Sequence, residues 1–245
     1  RGIDIGEFMH AKRFGYERDS KIFLEYHLSA EKAGEILNNT NGYYWRNRWF
    51  KPKHKEEVKV YYSTKGELRT YIHQIPEDAS GESLTQRNAL NAAQFFLVGT
   101  MGINIEDWEL IESKTEKLKN RWDHEFEWKE RSFNIKESNH ILTVKVQGDQ
   151  IGYYNERIKL PETWRLEYEK IRSKNDLLST IGFTGLFIAL ITIFIMILVR
   201  ARERDIQWKT AFTWSGIISV LLIINVFNNY PLELYSYYTQ DSYVA

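Results

Sequence analysis

The chain has 245 residues, 43% of them hydrophobic, and its 33 basic side chains balance 33 acidic ones. That balance excludes the clustered Lys and Arg of a nucleic-acid footprint, while the apolar content suits a protein that buries a core of one or two domains. Cysteine is missing altogether, which removes disulfides, thiolate nucleophiles and Cys-ligated zinc together.

The mean hydropathy of −0.48 hides a sharp division. Residues 1–176 are polar and charged, and residues 177–227 are dominated by two apolar runs. The chain begins at Arg1 rather than Met and stops shortly after the second run, so it is expected to be part of a longer protein.

In the polar part, residues 29–37 (SAEKAGEIL) predict a helix with Ser29 as N-cap and Glu31 in the first turn. Residues 43–50 predict a strand. Residues 58–75 predict a hairpin around Gly66 that Pro76 ends. The same series then recurs. Residues 83–98 place Leu84, Ala89, Ala92, Ala93, Phe96 and Leu97 at helical spacing. Residues 122–129 predict a strand, and residues 144–160 a hairpin around Gly148 that Pro161 ends. The expected fold class is α+β: two repeats, 1–82 and 83–168, each a helix on a curved antiparallel sheet, similar in shape to PepSY-like or cystatin-like modules.

Residues 177–199 (LLSTIGFTGLFIALITIFIMILV) carry no charge, and at ~1.5 Å per residue they are long enough to cross a ~30 Å hydrocarbon layer. Residues 169–199 are therefore read as a juxtamembrane segment and first transmembrane helix, and residues 210–227 as a second, flanked by Trp208, Trp214, Tyr230 and Tyr235 as interfacial aromatics. The intervening loop, 200–209, holds Arg200, Arg202, Arg204 and Lys209, whereas the post-membrane segment, 228–245, has no Lys or Arg. The positive-inside rule then puts the loop in the cytoplasm and the polar domain outside, in a bacterial inner or plasma membrane.

Candidate chemistry is sparse. In the strand containing Trp122, His124, Phe126 and Trp128, alternation turns His124 away from Asp123, Glu125 and Glu127, so it reads as a satisfied histidine on an aromatic face. Trp45-Arg46-Asn47-Arg48-Trp49 reads as a strand with one core face and one solvated face; an anion site with stacking aromatics is the functional alternative. Glu56-Glu57 lacks the Arg of a Glu-Glu-x-x-x-Arg signature, since Tyr61 stands there. There is no phosphate loop, no Gly-x-Ser-x-Gly and no His-Glu-x-x-His, and all six His precede the first apolar run. After Asp205 the only carboxylates are Glu233 and Asp241. No catalytic, cofactor-binding or metal-ligating residue is assigned, and no cofactor is expected; the expected partners are the lipid bilayer and a peptide or protein substrate.

Several of these stretches taken together resemble one family. They are the run from Trp45 to Pro52, the strand ending His73-Gln74-Ile75-Pro76-Glu77, the run from Asn120 to Trp128, Leu160-Pro161-Glu162 before Arg172-Ser173-Lys174-Asn175, and Asn228-Asn229-Tyr230-Pro231-Leu232. They resemble the long N-terminal region of bacterial CPBP-family intramembrane proteases (CAAX proteases and bacteriocin-processing enzymes). The resemblance implies peptide-bond cleavage in the membrane by a Glu-Glu-x-x-x-Arg motif and His residues on later helices. None of those positions occurs here, so no catalytic residue carries over. The expected function is the extracytoplasmic domain and first transmembrane helices of such a protease, with the soluble domain in substrate presentation or regulation. The alternative is a non-enzymatic membrane-anchored sensor or binding module.

Overall fold

A computed structural model describes residues 6–239. The chain divides into two compact units, one running up to Pro161 and taking in the stretch from Pro231, the other Glu162–Tyr230.

The first unit is built on one eight-stranded sheet, all of whose pairings are antiparallel. In chain order its elements are β1 (Met9–Tyr16), α1 (Arg18–His27), α2 (Ala30–Asn39), β2 (Tyr43–Phe50), β3 (Glu57–Ser63), β4 (Leu68–Gln74), α3 (Gln86–Phe95), β5 (Trp108–Lys117), β6 (Trp122–Glu130), β7 (Asn139–Gln147) and β8 (Gln150–Lys159). The strand order is β1-β2-β3-β4-β8-β7-β6-β5. The two halves of the chain thus meet where β4 pairs β8, through Thr70 opposite Asn155 and Ile72 opposite Tyr153.

Local chemistry accounts for most boundaries. Ser29 accepts a hydrogen bond from Lys32 N, and Thr85 one from Asn88 N, satisfying free amides at the starts of α2 and α3. The helix expected over 83–98 is α3 and starts at Gln86, three residues later than expected. At the end of α2, Asn41 takes a left-handed φ of 52° and Gly42 N reaches back to Leu37 O, a Schellman closure. The β3–β4 and β7–β8 hairpins turn at Gly66 and Gly148, both at positive φ. Pro76 and Pro161 each stand two residues beyond the last strand of their hairpin, as the sequence repeat led one to expect. Three elements were not anticipated: β1, α1 and β5. β1 and β5 form the two edges, and β1 precedes its helices whereas β5 follows α3, so the repeat is not kept at the rims.

The register sorts residues into two faces. One row across the sheet runs Lys12, Asn47, Val60, Tyr71, Tyr154, Val144, Phe126 and Ser113. On this face Phe126, Trp128, Leu142, Val144, Val146 and Tyr154 form the core with Ala89, Ala93 and Leu97 from the α3 region. The adjacent row runs Ala11, Arg48, Lys59, Ile72, Tyr153, Lys145, Glu125 and Lys114. That face is polar.

The second unit consists of two helices, each long and apolar enough to cross a membrane, and the second of them continues past Tyr230 into residues that belong to the first unit. α4 spans Glu162–Arg202 and α5 spans Trp208–Ser236. Both run past the apolar segments read from sequence: α4 already includes the juxtamembrane residues, and α5 continues through Pro231. The loop shrinks accordingly from 200–209 to 203–207. Arg204, at φ 57°, closes α4, with Arg204 N bonded to Ala201 O and Asp205 N to Arg200 O. Thr180, Thr184, Thr192 and Thr213 each return their hydroxyl to the carbonyl four residues earlier, which satisfies those polar groups inside an apolar helix. Glu233 lies in α5; Asp241 is outside the described residues.

Candidate functional site

Alternation in β2 puts Arg46 and Arg48 on the polar face, and register sets Tyr61 opposite Arg46, Lys59 opposite Arg48 and Glu57 opposite Phe50. With residues 235–239 of the same unit they line a groove of about 710 Å³.

Arg48 is buried and all three of its guanidinium nitrogens have partners. Nε and Nη2 meet Glu57 Oε2 at 2.8 and 2.7 Å, and Nη1 donates to the main-chain carbonyls of Tyr235 and Tyr237 at 2.8 and 2.7 Å. The planar fork makes this double use possible, with one edge for the carboxylate and the other for carbonyls. Burial alone would raise the Glu57 carboxyl, but Lys59 and Arg48 outweigh it and hold the group below the usual range.

Three further contacts fix the same segment. Lys53 N donates to Thr239 O at 2.7 Å, the hydroxyls of Tyr61 and Tyr235 are 3.1 Å apart, and the rings of Phe50 and Tyr237 have centroids 5.5 Å apart. Most of these contacts read main chain, not side chain. Since Tyr235 and Ser236 are the last two residues of α5, Arg48 serves carbonyls left free at the C-terminal end of that helix.

Beside this lies Arg46. Its guanidinium carbon sits 5.1 Å from the Tyr44 ring and 5.8 Å from the Tyr61 ring, and Nη2 donates to Tyr44 Oη at 2.8 Å. Gly15 on β1 leaves room for it: a Cβ there would fall 2.7 Å from Arg46 Nε. Further along the same face, Glu125, Glu127, Thr143, Lys145, Tyr153 and Arg157 border a second depression of about 330 Å³. There the charges neutralise one another, Lys145 with Glu125 and Arg157 with Glu127.

Residues 45–49 form a strand with one covered and one more exposed face, as its alternation led one to expect. The Arg face is the covered one, and Trp45 is 46% exposed. A tryptophan in a β-strand signals a core face only when nothing polar covers the other side. Here the segment 235–239 does so, and no local pattern in residues 43–50 announces it.

His124 behaves as its strand position indicated. Nδ1 is 3.0 Å from Thr115 Oγ1 and Nε2 is 2.9 Å from Leu84 O, and the ring is buried against Phe126. Glu57 begins β3 and is a structural ion-pair member, in keeping with its rejection as a protease motif. Sequence reading missed His140. Its Nδ1 faces Glu130 Oε2 at 2.7 Å and its Nε2 faces Glu156 Oε1 at 2.9 Å, while Asn41 Nδ2 donates to Glu156 Oε2. Burial opposes the charged imidazole, but the two carboxylates prevail and push it up to about 9. With both nitrogens engaged, His140 is a charged brace joining β6, β7 and β8, and it has no free nitrogen for proton transfer. Among the described residues no cluster of three His, Asp or Glu is placed to hold a metal ion.

Compared with protein-family models, curated proteins and solved structures, the chain matches none.

Proposed function

We propose that the folded unit is a membrane-tethered, extracytoplasmic recognition module that holds polypeptide by its main chain on the polar face of its sheet. In line with the resemblance to CPBP-family proteases, the module serves substrate presentation to a membrane-embedded catalytic region. The observation that carries the recognition role is Arg48, which, braced by Glu57, donates to the main-chain carbonyls of Tyr235 and Tyr237 at the C-terminal end of α5. Main-chain recognition of this kind gives affinity while tolerating varied side chains, as a presenting or sensing module requires. The two helices α4 and α5 supply the tether. The cations Arg200, Arg202, Arg204 and Lys209 around their short loop favour the cytoplasmic side for it.

A chain ending at Tyr230 tests the recognition role. In detergent micelles it should bind a synthetic peptide of residues 231–239, and unfolded casein should compete; Arg48→Gln should weaken binding at least about tenfold, a loss of roughly 1.4 kcal/mol. Absence of binding by the shortened chain removes the reading. A further helix bearing Glu-Glu-x-x-x-Arg in the parent protein separates the protease setting from that of a sensor.

A further inference from the structure

On the face of the sheet opposite to Arg48, residues from both halves of the chain border a cavity of about 380 Å³, a volume in the lower part of the range for small-molecule sites. Met101, Trp108 and Tyr154 supply its apolar wall, and Asn41, Glu67 and Glu156 its polar edge. Asn41 follows α2 and Glu67 precedes β4, whereas Trp108 and Glu156 stand on β5 and β8, so neither half makes the cavity alone. Met101 is delivered by a π-helical turn, Phe96–Thr100, that continues α3. Such turns are rare and are found frequently at functional sites.

Asn41 carries the clearest sign of a missing partner. It is 8% exposed, and its Nδ2 donates to Glu156 Oε2 at 3.0 Å. Glu156 also meets the charged His140 through Oε1, so it stands as a carboxylate that can only accept, and the Asn41 amide has to turn its NH₂ group toward it. Oδ1 is thereby left buried without a hydrogen bond. An acceptor in that condition costs free energy until a donor meets it.

Charge narrows what that donor is. Among the described residues that line the cavity there is no Lys or Arg. His140 offsets Glu156, and Arg69, whose field reaches Tyr154, is paired with Glu17, so the edge keeps the negative charge of Glu67. Aromatic walls beside a carboxylate favour a cation over an anion. Trp108 already packs on one, the His140 imidazolium, with ring centroids 5.2 Å apart.

We infer that the cavity binds a small organic ammonium, a primary amine with an apolar body: an N–H group meets Asn41 Oδ1, Glu67 balances the charge, and the body lies against Met101, Trp108 and Tyr154. The site is on the other face from the polypeptide groove and stands without it.

Phenethylamine, phenethyl alcohol and phenylacetate share one apolar body and differ in the head group, so they separate charge from size. Binding to the intact chain in maltoside micelles is read by calorimetric titration, with empty micelles as reference. The amine should bind about tenfold more tightly than the alcohol, and phenylacetate should not bind. Glu67 is exposed, and Glu67→Gln should weaken the amine about threefold and leave the alcohol unchanged. Asn41→Gly suits the left-handed backbone at φ 52° and should weaken the amine about tenfold. Met101→Arg, which puts a guanidinium in the cavity, should abolish amine binding; near-ultraviolet circular dichroism checks that each variant is folded, and if Asn41→Gly is not, the other two decide. Equal binding of all three compounds would make the cavity an unselective apolar pocket and overturn the ammonium class, and binding of none would leave it to water. A Lys-bearing peptide that binds more tightly than phenethylamine would replace the free amine by a polypeptide side chain.

Discussion

His140 Nε2 lies 2.9 Å from Glu156 Oε1, and the opposite ring nitrogen is 2.7 Å from Glu130 Oε2, so one buried imidazolium joins three neighbouring strands. Its folded-state pKa is raised from 6.5 to about 9. A raised pKa contributes stability that is fully present below the unfolded value and is lost as pH rises through the folded one. The window is therefore about 6.5 to 9. At about 1.4 kcal/mol per tenfold in protonation, the loss has an upper bound of roughly 3 kcal/mol. The urea midpoint, followed by near-ultraviolet circular dichroism, should fall between pH 6.5 and 9.5, and His140→Gln should flatten that fall. An unchanged slope in the variant would assign the pH dependence elsewhere.

Ala89 and Ala93 are fully buried where α3 meets β6 and β7. Small side chains there set how closely the helix approaches Phe126, Trp128 and Leu142. Ala93→Leu adds three carbons with no cavity to receive them and should cost about 1–3 kcal/mol, read as a lowered urea midpoint. A neutral result would mean that α3 rides higher on the sheet than described.

Arg121 ties the connection between the two halves to the sheet. Nη1 donates to the carbonyls of Pro76 and Ala79 at 3.0 and 2.8 Å, and Nε to Asp123 Oδ1 at 2.9 Å. Gly81 and Gly148 complete the contact, since a Cβ at Gly148 would lie 3.1 Å from Gly81 Cα. Arg121→Ala should cost about 3 kcal/mol by leaving the carbonyls and Asp123 without their buried partner. Arg121→Lys should recover less than half of that, because an ammonium cannot serve both sides at once. Faster hydrogen exchange in residues 76–82 of the Ala variant is the local signature expected.

Ser80, Gln207 and Ser236 are all exposed and differ in the side of the membrane expected for them. In intact cells an impermeant maleimide should modify Ser80→Cys and Ser236→Cys and spare Gln207→Cys. Labelling of Gln207→Cys alone would invert the topology. Labelling at Ser80→Cys without Ser236→Cys would show that α5 does not span.

What could be read from the sequence is what depends on neighbours along the chain. The two apolar helices were legible because more than twenty uncharged residues satisfy length and transfer energy without reference to anything else. The β3–β4 and β7–β8 hairpins were legible through Gly66, Gly148 and the prolines beyond them, since turn chemistry is local. His124 followed from strand alternation alone. Tertiary structure decided what distance in sequence hides. The edge strands β1 and β5 have weak patterns of their own and exist because β2 and β6 offer them a partner. The pairing of β4 with β8 brings together residues more than eighty positions apart. Arg48 and Tyr237 are separated by 189 positions, and their contact decides the faces of β2: an arginine row becomes the covered side only when a remote segment supplies carbonyls to receive it. Burial of a charge costs free energy unless partners meet it, and no pattern within eight residues of a strand can state where those partners will come from.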